Sequence, residues 1–245
     1  MSTRSIEDIL HFRSDISPFL VHLTRAAGQR SAREVLEAIL NDQRLVAGSS
    51  LVSDARFGAP MDVEDQDRLF RAICFSETPL AEVHCLLDIS YRRVHLEPYG
   101  LAFVKKRLAA RGVAPALYLN NSLGDQDGVV QALCGLAGSN LAVAERLVPL
   151  VAFFGQRLAP VGGSPVGTSM IDFTWEREWR YPACRGDLSF VAEDAFIGFC
   201  PHCEIAHFES VWPDVQFVDP RRTLRWYATK LIDARQRLGL RDSVV

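Results

Sequence analysis

Short runs with strand character are interleaved with capped, amphipathic stretches in no regular order, and this irregularity limits the folds open to the chain more than any other feature. Phe19-Leu20-Val21-His22-Leu23-Thr24 has strand character. Ser31-Ala32-Arg33-Glu34 follows with capping-box spacing, in which Ser31 caps a helix and Glu34 reaches back. Val35, Leu36, Ile39 and Leu40 then recur at helical spacing up to about Asp42. Residues 48–62 hold Gly, Ser, Pro and Asp and read as a loop. Arg71 to Phe75 reads as a second strand, and Pro79 stands at the start of a helix with Val83, Leu86 and Leu87 on its apolar face. Tyr99 to Val104 and Ala114 to Leu119 read as strands flanking a short basic helix that carries Lys105, Lys106, Arg107 and Arg111.

Two apolar helices are expected to fill residues 126–157, with a break around Gly135 to Asn140, and residues 159–168 form a loop. Strands follow at 172–181, Asp187 to Val191, Ala195 to Phe199 and Val215 to Val218. A basic amphipathic helix from about Arg221 to Leu238 comes last. Without regular strand–helix alternation, the expected class is α+β with a mixed sheet, not a doubly wound one. The chain reads as a single domain over 1–245, with a helical insertion at about 124–157 and no internal repeat.

A chain of 245 residues, 48% of them apolar, buries a substantial core. Its formal net charge of −3 argues against an overall basic nucleic-acid-binding body, though not against a local basic patch. No apolar run approaches the ~20 residues of a membrane span, and the longest, Leu147 to Phe154, is about half that. Met1 to Leu10 carries Glu7 and Asp8 where a signal peptide has a basic lead and apolar core. Cys74, Cys85 and Cys134 stand in apolar stretches and read as reduced core residues, so a cytoplasmic protein is expected.

Residues 172–181, Asp-Phe-Thr-Trp-Glu-Arg-Glu-Trp-Arg-Tyr, are the most informative for chemistry. In a strand, Glu176 and Glu178 share a face, where like charges repel and Glu is disfavoured. Two readings fit such a pair. Paired carboxylates stabilise a sugar cation and steer a nucleophile toward it; alternatively, this is a solvated strand face neutralised by Arg177 and Arg180. His22, within His22-Leu23-Thr24-Arg25, is either a hydrogen-bonded core residue or a ligand-binding one. Ile73-Cys74-Phe75-Ser76-Glu77-Thr78-Pro79 delivers three polar side chains where a helix starts, either for a ligand or with Ser76 or Thr78 as its cap.

His-Leu-Thr-Arg, Ser-Glu-Thr and Glu-Arg-Glu resemble, in kind and chain order, the three motifs of the ADP-ribosyltransferase fold. At closer range the chain resembles the AbiGi family, named for abortive phage resistance and described as antitoxins. The resemblance spans roughly residues 19–200. It is carried by Phe19-Leu20-Val21-His22-Leu23-Thr24, Leu36-Glu37-Ala38-Ile39-Leu40, Cys74-Phe75-Ser76-Glu77-Thr78-Pro79-Leu80, Tyr99-Gly100-Leu101-Ala102-Phe103, Pro115-Ala116-Leu117-Tyr118-Leu119 and Glu176-Arg177-Glu178-Trp179-Arg180-Tyr181. Ser-Glu-Thr departs from the Ser-Thr-Ser of the fold, which leaves the role of Glu77 open.

The resemblance implies a mixed, split sheet and NAD as substrate, folded into a cleft between the strands bearing the motifs. Glu178 would stabilise the ribosyl cation and hold the ribose hydroxyl, and Glu176 would orient or deprotonate the acceptor. His22 would bond the adenosine ribose, with Thr24 beside it and Arg25 near the pyrophosphate. Ser76 and Thr78 would position the nicotinamide side, and Tyr99 would stack on the ring. It implies a nucleic acid or protein acceptor and a cognate toxin or antitoxin partner. The alternative is a catalytically silent antitoxin of the same fold that binds a partner protein.

Two further signals lie apart from these motifs. Cys200-Pro201-His202-Cys203 presents a Cys-x-x-Cys pair, which Cys184 and His207 would complete into a structural zinc site; separate structural cysteines are the alternative. The C-terminal helix carries Arg221, Arg222, Arg225, Lys230, Arg235, Arg237 and Arg241, with Leu224, Tyr227, Leu231 and Leu238 at near-helical spacing for docking. Its charges form a solvated face or, with Lys105, Lys106, Arg107 and Arg111, a track for a phosphate backbone.

Overall fold

The structure, a computed structural model, describes residues 13–48, 69–89, 95–120, 128–156, 170–171 and 174–240. The expected loop at 159–168, all of that at 48–62 except Gly48, and Arg241 lie outside them. The described residues form an α+β arrangement with a mixed sheet. In chain order it runs β1 (Phe19–Leu23), α1 (Ala32–Asp42), β2 (Arg44–Leu45), β3 (Ala72–Ser76), a 3-10 helix (Leu80–Leu86), β4 (Gly100–Val104) and α2 (Lys105–Ala110). Next come β5 (Ala114–Pro115), β6 (Leu117–Asn120), α3 (Val129–Ser139), α4 (Leu141–Leu147), β7 (Val151–Gln156) and β8 (Met170–Ile171). The last are β9 (Glu178–Pro182), β10 (Leu188–Ser189), β11 (Ala195–Phe199), α5 (Ile205–Val211), β12 (Phe217–Val218) and α6 (Ala228–Arg237).

The chain divides into two compact units, each assembled from separated segments. The first takes the described parts of Met1–Leu45, Phe75–Gly112 and Ser189–Val245, and the second those of Val46–Cys74 and Val113–Leu188. In the first unit β1 pairs antiparallel with β4 along its whole length, from Phe19 opposite Val104 to Leu23 opposite Gly100. Strand β11 continues antiparallel from β4 with an irregularity between Ala195 and Ile197, and β12 joins it in parallel. On the other side Val21 faces Ser76 at the end of β3. Gly100 is required by this pairing, because a Cβ there would collide with the backbone of His22 and Leu23.

The capping box forms as expected: the Ser31 hydroxyl accepts from the Glu34 N–H, and the Glu34 carboxylate accepts from the Ser31 N–H at 2.7 Å. Helix α1 then buries Ala32, Leu36 and Leu40. Phe75, Phe103, Phe199, Phe208 and Phe217 are among the largest fully buried side chains of this unit, each contributing roughly 1.5–3 kcal/mol by removal from water. Cys85, on the 3-10 helix, is exposed and so is not the core residue its apolar neighbours suggest.

In the second unit β5 pairs antiparallel with β9, β6 runs parallel to β7, and β8 runs antiparallel to β7. Its core is Leu69, Phe70, Ala144, Val148 and Val151, with Leu119, Leu133, Leu136 and Ala137 packed against it. The second of the two expected helices is shorter than its apolar pattern predicts. Helix α4 ends at Leu147, a 3-10 turn carries Pro149, and Val151–Gln156 is strand, not helix. Pro149 lacks the N–H that another helical turn needs, and a short apolar run rich in Val and Phe extends as readily as it coils.

Candidate functional site

The paired glutamates do not share a strand face. Thr174–Glu176 is a single 3-10 turn, Arg177 adopts φ 45° in the left-handed region, and the strand begins only at Glu178. A long side chain is seldom found there, and the conformation costs about 1 kcal/mol or more. Glu176 is buried in the turn. The residues that do share a face are Glu178 and Arg180, two apart on β9, and they form an ion pair at 2.7 Å.

Arg180 is 4% exposed, and its Nη1 donates to the carbonyls of Pro149 at 3.0 Å and Val151 at 2.8 Å. The Glu178 N–H donates to the Tyr118 hydroxyl at 2.8 Å, and the Cys74 thiol donates to the Glu178 carboxylate. Burial, reinforced by the Glu178 charge, pushes the Cys74 thiol far up, and burial raises the Tyr118 hydroxyl too. Glu178 is thus a residue fixed on three sides. Nothing in the sequence marks Cys74 and Tyr118 as its partners, because both contacts come from chain segments distant from it.

The first unit holds the remaining motif residues. His22 lies half-buried on β1 with its ring 5.5 Å from that of Phe75. Thr24 sits just beyond β1, where its hydroxyl donates to the Ala32 carbonyl at 2.9 Å and its N–H donates to the Tyr99 carbonyl at 2.7 Å. Thr24 therefore ties the strand end to α1 and to the start of β4. Arg25 follows, half-buried.

Tyr99 donates its hydroxyl to Glu204 at 2.8 Å, and the other Glu204 oxygen lies 3.2 Å from Arg33. Burial and the Glu204 carboxylate raise the Tyr99 phenol well above its ordinary value. Ser76 and Thr78 are buried, and Glu77 between them pairs with Lys105 at 3.2 Å. The 3-10 helix after them starts on Pro79 with no side-chain cap, so neither Ser76 nor Thr78 serves as its cap.

The zinc candidates Cys184, Cys200, Cys203 and His207 are not gathered into a ligand set; among the described residues no group of three or more His, Cys, Asp or Glu is placed to hold a metal ion. Cys184 Sγ donates to the Glu145 carbonyl, and His207 lies 3.9 Å from Glu37. Cys200 is fully buried, and burial with nearby Glu204, Asp219 and Glu209 pushes its thiol up to about 12.

Five of the cations expected to form a phosphate track are turned to internal contacts, while Lys106, Arg221, Arg222 and Arg225 are exposed. Lys105 pairs with Glu77, Arg111 with Asp194 at 2.6 Å, and Arg107 donates to the Glu193 and Leu238 carbonyls. Arg237 donates to the carbonyls of Ala192, Ala195 and Phe196, and Lys230 pairs with Glu209. The last helix, expected from about Arg221, begins only at Ala228 after a 3-10 turn at Leu224–Tyr227; of its expected docking residues Tyr227 and Leu238 are buried, while Leu224 and Leu231 are half-buried. Among the described residues no helix is long and apolar enough to cross a membrane. Comparison with known proteins finds no match to a family model, to a curated protein or to a solved structure.

Proposed function

We propose that the protein is an NAD-dependent mono-ADP-ribosyltransferase of a phage-defence or toxin–antitoxin system, with nucleic acid or protein as acceptor. The observation that carries this is Arg177, a long side chain held in a left-handed conformation between buried Glu176 and fixed Glu178. Strain of that kind persists only where the surroundings over-determine it, and it gathers at working sites. A solvated, structural strand face has no need of it.

The bond between the ribose and nicotinamide breaks, and nicotinamide leaves with the electron pair. Glu178, held against Arg180, stabilises the ribosyl cation. The acceptor nucleophile forms the new bond, and its proton passes to Glu176. His22, Arg25, Ser76, Thr78 and the Tyr99 ring are assigned to NAD, with Thr24 setting the strand end that bears His22.

The test is nicotinamide release from NAD by the purified protein, with and without cell lysate, beside Glu178→Gln. Release by the wild type and none by a folded Glu178→Gln protein supports the transferase, and label transferred from NAD then identifies the acceptor. Because the Glu178→Gln change leaves Arg180 without its counter-charge, folding of the variant is verified by circular dichroism at the assay temperature. His22→Ala supplies an independent arm and is expected to weaken NAD binding more than it lowers the Tm.

The ion pair with Arg180 favours a second reading, a silent antitoxin-type protein in which Glu178 is structural. A folded wild type that neither binds NAD nor releases nicotinamide would decide for it.

A further inference from the structure

We propose that the turn Leu224–Tyr227 and its flanking arginines form a binding surface for single-stranded nucleic acid, with Trp226 as the base-stacking platform. Trp226 is 72% exposed, more than any other large apolar side chain among the described residues. Its position is built, not frayed. The turn is anchored by Tyr227, only 5% exposed, whose hydroxyl lies 3.1 Å from His202 Nδ1, and the Trp226 N–H donates to the Thr223 carbonyl at 3.1 Å. The backbone is thereby fixed in a way that holds the indole out in water, leaving a large apolar ring unburied.

The surroundings of that ring are cationic. The Arg222 guanidinium lies 5.4 Å from the Trp226 ring centroid, and Arg221, Arg222 and Arg225 are all exposed. Arg221 meets Asp88 through both guanidinium nitrogens, and Arg222 lies 3.9 Å from Asp219. The Arg221–Asp88 pair is exposed and contributes little, so a phosphate can replace the Asp88 carboxylate at small cost and gains a bidentate partner, whereas Asp219 is buried and stays in place.

Of the other basic residues of the unit, Lys105, Arg107, Arg111, Lys230 and Arg237 face internal acceptors, while Arg30, Arg44 and Lys106 are exposed elsewhere in the sequence. Three exposed arginines, Arg221, Arg222 and Arg225, thus lie within a few residues of the most exposed aromatic ring among the described residues, and Arg222 is in contact with it.

A protein hot spot sits at the centre of a well-packed patch whose surrounding contacts exclude water. From Arg222 to Lys230 no other large apolar side chain is exposed, and the next in sequence, Ile232, stands on α6. A ring flanked by guanidinium groups instead matches the chemistry of an unpaired base and its phosphates, and a single strand offers base faces that a duplex hides.

The experiment is fluorescence anisotropy of labelled single-stranded RNA and DNA oligonucleotides of roughly ten nucleotides with the whole protein, without NAD, over a range of salt. Binding weakened about tenfold or more by Trp226→Ala and largely kept by Trp226→Tyr is expected. Arg222→Ala and Arg225→Ala should each lower the slope of log affinity against log salt by about one unit. No binding of single strands at low salt, or equal binding by Trp226→Ala, overturns the proposal. So does tighter, Trp226-dependent binding of an acidic polypeptide, which would make the surface a protein site. Because NAD is absent from the assay, none of these outcomes bears on the transferase proposal.

Discussion

Arg180 and Glu178 determine much of what can be changed in the second unit. Replacing Arg180 with Met leaves a mostly buried carboxylate without its counter-charge and two backbone carbonyls without a donor. The expected loss is about 3–5 kcal/mol, read from the urea midpoint at constant m-value. The double variant Glu178→Gln with Arg180→Met should lose less than the sum of the two single changes, since each single change strands the other group. This pairing is half legible in the sequence. The rule that residues two apart share a strand face is sound, but it points to Glu176 and Glu178 only if the strand already runs through both. Moving the strand start to Glu178 transfers the shared face to Glu178 and Arg180. The left-handed Arg177 that causes the shift has no sequence signature, because glycine and asparagine, not arginine, announce such a conformation.

Among the elements, those specified by neighbouring residues can be read in advance. The Ser31–Glu34 box depends on a three-residue spacing, and Ser31→Ala should cost about 1 kcal/mol by chemical denaturation. Composition alone places strands β1, β3, β4 and β11 within a residue or two. Gly100 shows the limit: its need arises from the approach of β1, a non-local pairing that its own sequence context does not reveal. Gly100→Ala should lower the Tm by several degrees even though alanine is an ordinary strand residue, because the added Cβ meets the His22 carbonyl. Strand β7 reads as helix for a related reason. Its local pattern allows both forms, and parallel pairing with β6 settles the choice.

For the molecule as a whole, pH is the most direct probe of what is buried. The Cys200 thiol is held protonated up to about 12, whereas a cysteine in the unfolded chain loses its proton near 9. Between those values the folded state binds more protons than the unfolded one, so this group's contribution to stability is full below about pH 9 and falls as pH rises toward about 12. The slope from this group reaches roughly 1.4 kcal/mol per pH unit. Cys200→Ala should flatten that part of the stability curve, as measured by urea titration from neutral to alkaline pH. The division into two units is not legible in the sequence, since each gathers segments far apart in the chain, whereas composition and periodicity report only on neighbours. That same non-locality gives the Arg180 clamp a kinetic meaning. Its side chain reaches back to carbonyls 31 and 29 residues earlier, a closure whose chain-entropy cost is met before its contacts form. The clamp then belongs to the downhill side of the folding barrier: loosening it leaves the refolding rate nearly unchanged and accelerates unfolding, so Arg180 sets how long the folded second unit lasts and not how quickly it forms.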